Sequence, residues 1–372
     1  MGYWQRAGTS VSALSHVHRA PRMPPGASAS DPPPSNPRVR VITRDNGAGL
    51  LRDLELVIAR LREHGRQPES VRYRGSKLVN RLRETRLQAD CRWRGPVGTQ
   101  VFLERIYPRC LPLAERNVLI PNPEWLHPHW RPLLGRFDAI LCKTRQAERI
   151  FDGLGLRTRY IGFTGDDRMD ASVPRQDGFL HVVGRSTAKG TDAVLDAWRR
   201  NPHWPILTVL RWRPPPAWVR QVRNIDYRSA RVSNAALRVL QNRHRFHLCP
   251  SEAEGFGHSL IEAMSVGAVV LATDGEPMNE LVDSSRGILI APQDARPMAL
   301  GTRYTVSVEA IEMAVERALA LPLAQQLALG QAARAFFLDN DRAFGERLSQ
   351  AIGPMPEPAE QAALVNLENA SS

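Results

Sequence analysis

The sequence predicts an α/β protein built as two compact domains, and three observations predict it. At 372 residues the chain exceeds the usual single-domain size, so two units can each bury a core. Short apolar strand signals alternate with amphipathic helical segments, the pattern of parallel sheets covered by helices. That alternation is interrupted by a polar stretch at residues 174–178 and then restarts, so the halves are similar. Hydrophobic residues make up 42% and charged residues 24% of the chain, an ordinary globular balance. No apolar run approaches the roughly 18 residues of a membrane-spanning helix.

Residues 1–36 carry no apolar signal core, and Arg6 breaks the myristoylation pattern that Gly2 could open. Rich in Pro, Ser and Ala, they are expected to form a disordered leader. Order begins with a strand at residues 39–43, followed by a glycine turn around Gly47 and Gly49 and an amphipathic helix at 50–62. Arg52 stands where a dinucleotide fingerprint requires its third glycine, which argues against a nicotinamide dehydrogenase. Strands are expected at 100–103, 117–120 and 139–142, completing a first domain over residues 37–172.

The second domain, residues 173–338, opens with a strand at 179–183 and a helix at 191–200 with Thr191 as its N-cap. Strands follow at 206–210, 225–227, 245–249 and 268–272, the last continuously apolar, as in a sheet covered on both faces. Helices are expected at 234–244 and 259–266, and further elements at 277–282, 287–290, 307–319, 323–338 and 341–349, with residues 339–352 a C-terminal helix able to cross back to the first domain. Residues 353–372 read as a disordered tail.

Fifty Lys and Arg against 38 acids give a net charge of +12, which favours anionic partners. The basic residues are spread without a dense basic helix or a helix-turn-helix signature, so specific nucleic-acid binding is not expected. Only Lys77, Lys143 and Lys189 are lysines, which singles each of them out. The four cysteines, Cys91, Cys110, Cys142 and Cys249, form no CxxC pair, so no zinc ribbon or dithiol site is written here and no metal is expected. They read as reduced thiols of a cytoplasmic protein.

Two segments carry chemistry. The stretch Ser251-Glu252-Ala253-Glu254-Gly255-Phe256-Gly257-His258-Ser259 is a strand end, a glycine loop and a helix start, leaving free backbone N–H groups near Gly257 to Leu260 for a phosphate. Glu254 lies at the carboxyl edge of the sheet, where open α/β folds place ligands, and Glu262 lies two turns into the helix. Each carboxylate can accept two hydrogen bonds from sugar hydroxyls. His258 serves either as a capping residue or as a phosphate contact. The second segment, Gly184-Arg185-Ser186-Thr187-Ala188-Lys189-Gly190, offers a planar guanidinium and a point charge, a pair suited to a diphosphate.

Taken with Ala263-Met264 and the following Gly267-Ala268-Val269-Val270-Leu271-Ala272, these segments resemble the retaining glycosyltransferases of group 1, over roughly residues 179–290. The resemblance implies the GT-B fold, two Rossmann-like domains facing across a cleft. It implies a UDP- or GDP-linked sugar as substrate, no further cofactor and no obligatory metal. It also implies roles: Arg185 and Lys189 on the diphosphate, Glu254 at the donor sugar and Glu262 on the ribose. Gly257, His258 and Ser259, at the helix start, are assigned to donor binding. The basic loop departs from the family, which commonly has one or two more residues between its arginine and lysine.

The first half matches only in layout. There the proline-stiffened segment around Glu124, Trp125 and His127, together with the turn at Gly47 and Gly49, is assigned to the acceptor side. The expected activity is transfer of a sugar to an acceptor hydroxyl with retention, in polysaccharide or glycolipid assembly. The acceptor would be a carbohydrate or lipid-linked, with peripheral contact to an anionic membrane at its inner face. The alternative is a noncatalytic nucleotide-sugar or polysaccharide-binding protein of an assembly complex.

Overall fold

The computed structural model describes residues 38–45 and 49–353. The expected leader, all of the expected tail but Gly353, and Gly47 lie outside these residues. The first domain runs β1 (Val39–Arg44), α1 (Gly49–Glu63), β2 (Pro68–Tyr73), α2 (Lys77–Arg94), β3 (Val97–Leu103), β4 (Ala114–Ile120), β5 (Ala139–Cys142), α3 (Arg145–Asp152) and β6 (Thr158–Tyr160). Its strands form one parallel sheet in the order β2-β1-β3-β4-β5-β6. Val41, for example, sits between Ser70 and Val101. Helices cover both faces, which is why β3 is buried along its whole length.

The second domain runs β7 (Gln176–Gly184), α4 (Thr191–Arg200), β8 (Leu207–Arg211), β9 (Ile225–Arg228), α5 (Asn234–Arg243), β10 (His244–Cys249), α6 (His258–Ser265), β11 (Val269–Thr273), α7 (Met278–Leu281) and β12 (Ile288–Ile290). This second parallel sheet has the order β12-β11-β10-β7-β8-β9. A hairpin of β13 (Asp294–Met298) and β14 (Gly301–Thr305) precedes α8 (Val308–Ala320) and α9 (Leu323–Ile352). Both sheets are Rossmann-like. Strand order reverses between β1 and β3 in one and between β7 and β10 in the other, and open α/β sheets bind ligands at the carboxyl ends beside such reversals.

Several expectations are corrected. The strand β2 was not foreseen, because Pro68, Glu69, Ser70 and Arg72 hide its alternation. Thr191 is not the N-cap of α4: Gly190 caps it in a left-handed conformation, and Thr191 Oγ1 meets His181 Nε2 at 3.0 Å instead. The segments 323–338 and 341–349, expected as separate elements, are one 30-residue helix. Asn340 and Asp341 look like a break, yet both side chains are used tertiarily: Asn340 donates to Phe163 O at 2.6 Å, and Asp341 accepts from Arg60 and Thr164, each at 2.7 Å. Basic charge is also concentrated after all. Helix α2 carries Lys77, Arg81, Arg83, Arg86, Arg92 and Arg94 against Glu84 and Asp90, and buries no residue fully.

Helix α9 ties the two domains. Its Phe337, Phe344 and Leu348 share one core with Leu54, Val57 and Leu61 of α1 and with Ile261 and Met264 of α6. At its end, Thr99 Oγ1 donates to Ile352 O at 3.4 Å and Arg116 to Gly353 O at 2.6 Å. Separate cores fill the far faces, around Phe102 and Phe151 in one domain and Phe179 and Trp198 in the other. The two carboxyl edges face each other, so that residues following strands of both sheets line one cavity.

Candidate functional site

The second domain contributes its two switch-point loops, after β7 and after β10. They are pressed together: a Cβ on Gly190, whose φ is 62°, would lie 2.6 Å from the Pro250 carbonyl oxygen, so only glycine allows the approach. That contact places Lys189 among residues of the other loop. Its Nζ donates to Glu254 Oε1, to Ser251 Oγ at 3.2 Å and to Ser259 Oγ at 3.1 Å. Lys189 and Glu254 are thus brought together as a half-buried ion pair at the start of α6, where Gly257 turns the chain at φ 112°.

The first domain answers with α1. Arg52 donates to Glu262 Oε1 at 2.9 Å and pairs with Asp166 at 2.7 Å, while Gln241 donates to Glu262 Oε2 at 2.8 Å and Arg168 stands 3.6 Å from Oε1. Asp53, one residue on, meets His258 Nε2 at 2.6 Å and accepts from Lys143 Nζ at 2.5 Å. Burial would raise the Asp53 carboxyl, but the adjoining Lys143 charge, aided by His258, holds it down to about 2. Lys143 also lies 4.5 Å from the centre of the Phe163 ring. His258 Nδ1 is buried and has no hydrogen-bond partner among the described residues.

Two cavities meet at Gly49 and His258, which line both. The larger, about 410 Å³, is lined by Val182, Leu210, Val232 and Leu237 at an apolar end and by Arg52, Arg168 and Glu262 at a charged end. Trp212 also lines it, and the guanidinium carbons of Arg185 and Arg231 lie 5.1 and 5.3 Å from the centre of its ring. The smaller, about 310 Å³, is lined from the first domain by Asp53, Glu104, Asn122, Trp125 and Lys143 and from the second by Glu254, Gly255, Phe256 and Gly257. Volumes of this order suit small ligands. Among the described residues no cluster of three or more His, Cys, Asp or Glu side chains could hold a metal ion.

Of the residues singled out from the sequence, Lys189, Glu254, Gly257, His258, Ser259 and Glu262 are gathered around this junction. Arg185 is exposed and lies on Trp212 at the rim of the larger cavity. Gly49 lies between the cavities and Trp125 lines the smaller one, 42% exposed. Glu124 is turned away: it is 2% exposed, under the β13–β14 hairpin, where a Cβ on Gly301 would lie 2.7 Å from its Oε1. His127 lines neither cavity and caps the following 3-10 turn, accepting from His129 N at Nδ1. Sequence reasoning missed Arg52, Asp53 and Glu104. Lys143 carried one signal, its rarity; the others are ordinary residues that only the topology brings to the cleft.

Residues 230–321 match the family described as glycosyl transferases group 1. No curated protein matches the chain. Among solved structures, a glycosyltransferase from Rickettsia africae ESF-5 is 12% identical, with a TM-score of 0.64 over 86% of this chain and 99% of that one. A sucrose-phosphate synthase from Thermosynechococcus elongatus is 16% identical, with a TM-score of 0.61 over 90% and 100%. WaaG, a glycosyltransferase involved in lipopolysaccharide biosynthesis, is 15% identical, with a TM-score of 0.59 over 84% and 99%. These likenesses show the GT-B fold.

Proposed function

We propose that the protein is a retaining glycosyltransferase that uses a nucleotide-diphosphate sugar and needs no metal. One observation carries the reading: the switch-point loops of both domains converge on two joined cavities, with the Lys189–Glu254 pair and the α6 N-terminus at their junction. The base would lie between Val182, Leu210, Val232 and Leu237, and the ribose hydroxyls would share Glu262 with Arg52. The diphosphate would meet the backbone N–H groups of α6, His258 Nδ1 and Lys189, with Arg185 swinging in from Trp212. Lys189 already uses its three N–H donors within the protein. A phosphate would compete for one of them and release Glu254 to the hydroxyls of the donor sugar in the smaller cavity.

The bond from the anomeric carbon to the phosphate oxygen breaks, and the electron pair leaves with the diphosphate. The acceptor oxygen bonds to the same face, and its proton passes to the departing phosphate oxygen, so retention needs no protein base. Cations and helix N–H groups around the leaving group lower the barrier because they are already oriented toward the charge that develops there.

The acceptor would be a carbohydrate or lipid-linked, and the site of action the inner face of an anionic membrane. Helix α2 supports this, with Leu78, Leu82 and Trp93 exposed along one face and flanked by Arg81, Arg86 and Arg92. Its first turn borders a groove shared with Tyr107, three residues beyond Glu104 of the smaller cavity. No helix among the described residues is long and apolar enough to cross a membrane.

Losing one charged hydrogen bond costs about 1.5–3 kcal/mol, so Lys189→Ala is expected to slow donor turnover roughly tenfold to a hundredfold. Release of nucleoside diphosphate from UDP- and GDP-sugars measures it. Unchanged turnover in both Lys189→Ala and Glu254→Gln would remove the site assignment.

A further inference from the structure

Within that reading, we infer that Glu104 is an acceptor-binding residue, accepting a hydrogen bond from a hydroxyl of a sugar ring that lies against Trp125 in the smaller cavity. Its place argues for it. Glu104 follows β3 at the reversal of strand order in the first sheet, the position that Glu254, following β10, occupies in the second. The two carboxylates line the same cavity from opposite domains. A donor sugar on Glu254 would leave Glu104 to face whatever approaches it.

Its backbone is the second observation. Glu104 has φ 61°, in the left-handed region that non-glycine residues with a Cβ rarely enter, and its N–H donates to Ile120 O at 2.8 Å. Strain of this kind persists where the surroundings impose it and clusters at functional sites. Here it points a carboxylate into the cavity. Asn122 Nδ2 fixes one oxygen, Oε2, at 2.8 Å, and Asn122 is itself wedged against the loop of Glu254: a Cβ on Gly255 would lie 2.4 Å from its Cγ. Among the described residues nothing bonds the other oxygen.

The surroundings suit a neutral polyhydroxylated ligand. Burial raises the Glu104 carboxyl above its ordinary range, the Lys143 charge opposes this and Asp53 adds to it. Trp125 offers an apolar face large enough for one ring, and Asn122 and Lys143 supply donors beside it.

The test uses the full chain with saturating UDP or GDP and four probes: the methyl glycosides of glucose, mannose, galactose and N-acetylglucosamine. Saturation-transfer NMR reads the sugars, and thermal shift reads the nucleotide in the same samples. At least one glycoside is expected to bind the nucleotide-loaded wild type and to bind Glu104→Gln about tenfold more weakly, with the nucleotide shift unchanged. Glu104→Gly suits the left-handed backbone, so it should lose sugar binding while its Tm rises; a residue with only a structural role would not give that combination. No glycoside binding to the loaded wild type, or equal binding in both variants, overturns the inference. Absence of a nucleotide shift in the wild type would instead overturn the glycosyltransferase reading.

Discussion

Asp53 and Glu124 are both buried carboxyls, and they respond in opposite ways because only one has a cation in contact. Asp53, paired with Lys143 and His258, is held near 2. Its folded value lies below the unfolded value of about 3.9, so its stabilising contribution is complete above that pH and fades as pH falls toward 2. Among the described residues neither buried oxygen of Glu124 has a hydrogen-bond partner on another residue, and burial, reinforced by the nearby Glu254 charge, pushes it up to about 8. Its sign is reversed: the folded state binds the proton more tightly, so the contribution is complete below about pH 4.3 and is lost as pH rises through 8. Glu124→Gln should therefore match the wild type in urea unfolding at about pH 3.5 and exceed it at about pH 9. An equal difference at both pH values would contradict this environment. Sequence could flag Glu124 as unusual in a proline-stiffened loop, but which way its side chain turns depends on a hairpin some 175 residues later.

At the scale of elements, α2 makes the most specific demand. An interfacial helix combines an apolar stripe with basic flanks, and α2 leaves Leu78 72%, Leu82 64% and Trp93 88% exposed in that setting. The protein is expected to float with vesicles containing phosphatidylglycerol and to stay behind with pure phosphatidylcholine. Leu82→Asp combined with Trp93→Ala should reduce flotation at least tenfold without altering nucleotide binding. Flotation unchanged by the double substitution would place the contact elsewhere. Strands with dense branched residues, such as Val269–Thr273, were legible to within a residue or so, as was α4. The β13–β14 hairpin was not, because Arg296 and Pro297 interrupt any alternation and its pairing is a tertiary matter. The long α9 was divided into two elements because local capping signals at Asn340 and Asp341 are indistinguishable in sequence from side chains used in tertiary contacts.

At the scale of the whole molecule, two sheets meet across a cleft whose walls are joined by Arg52–Glu262 and Asp53–His258 and whose back is closed by α9. The second wall was readable because its chemistry is local: Glu254, His258 and Glu262 fall within one loop and helix, and Lys189 lies in a second such loop. The first wall was not, since Asp53, Glu104, Asn122 and Lys143 come from four separate stretches that only the strand order of the sheet brings together. A nucleoside diphosphate is the proposed occupant of this cleft. Thermal denaturation with UDP, GDP, ADP and their sugars tests it most directly. A ligand at 100 times its Kd adds about 2.7 kcal/mol of stability, so one base should raise the Tm by several degrees, and Lys189→Ala should diminish that rise. No shift with any of them, or an undiminished shift in Lys189→Ala, would show that the cleft does not hold a nucleoside diphosphate against Lys189.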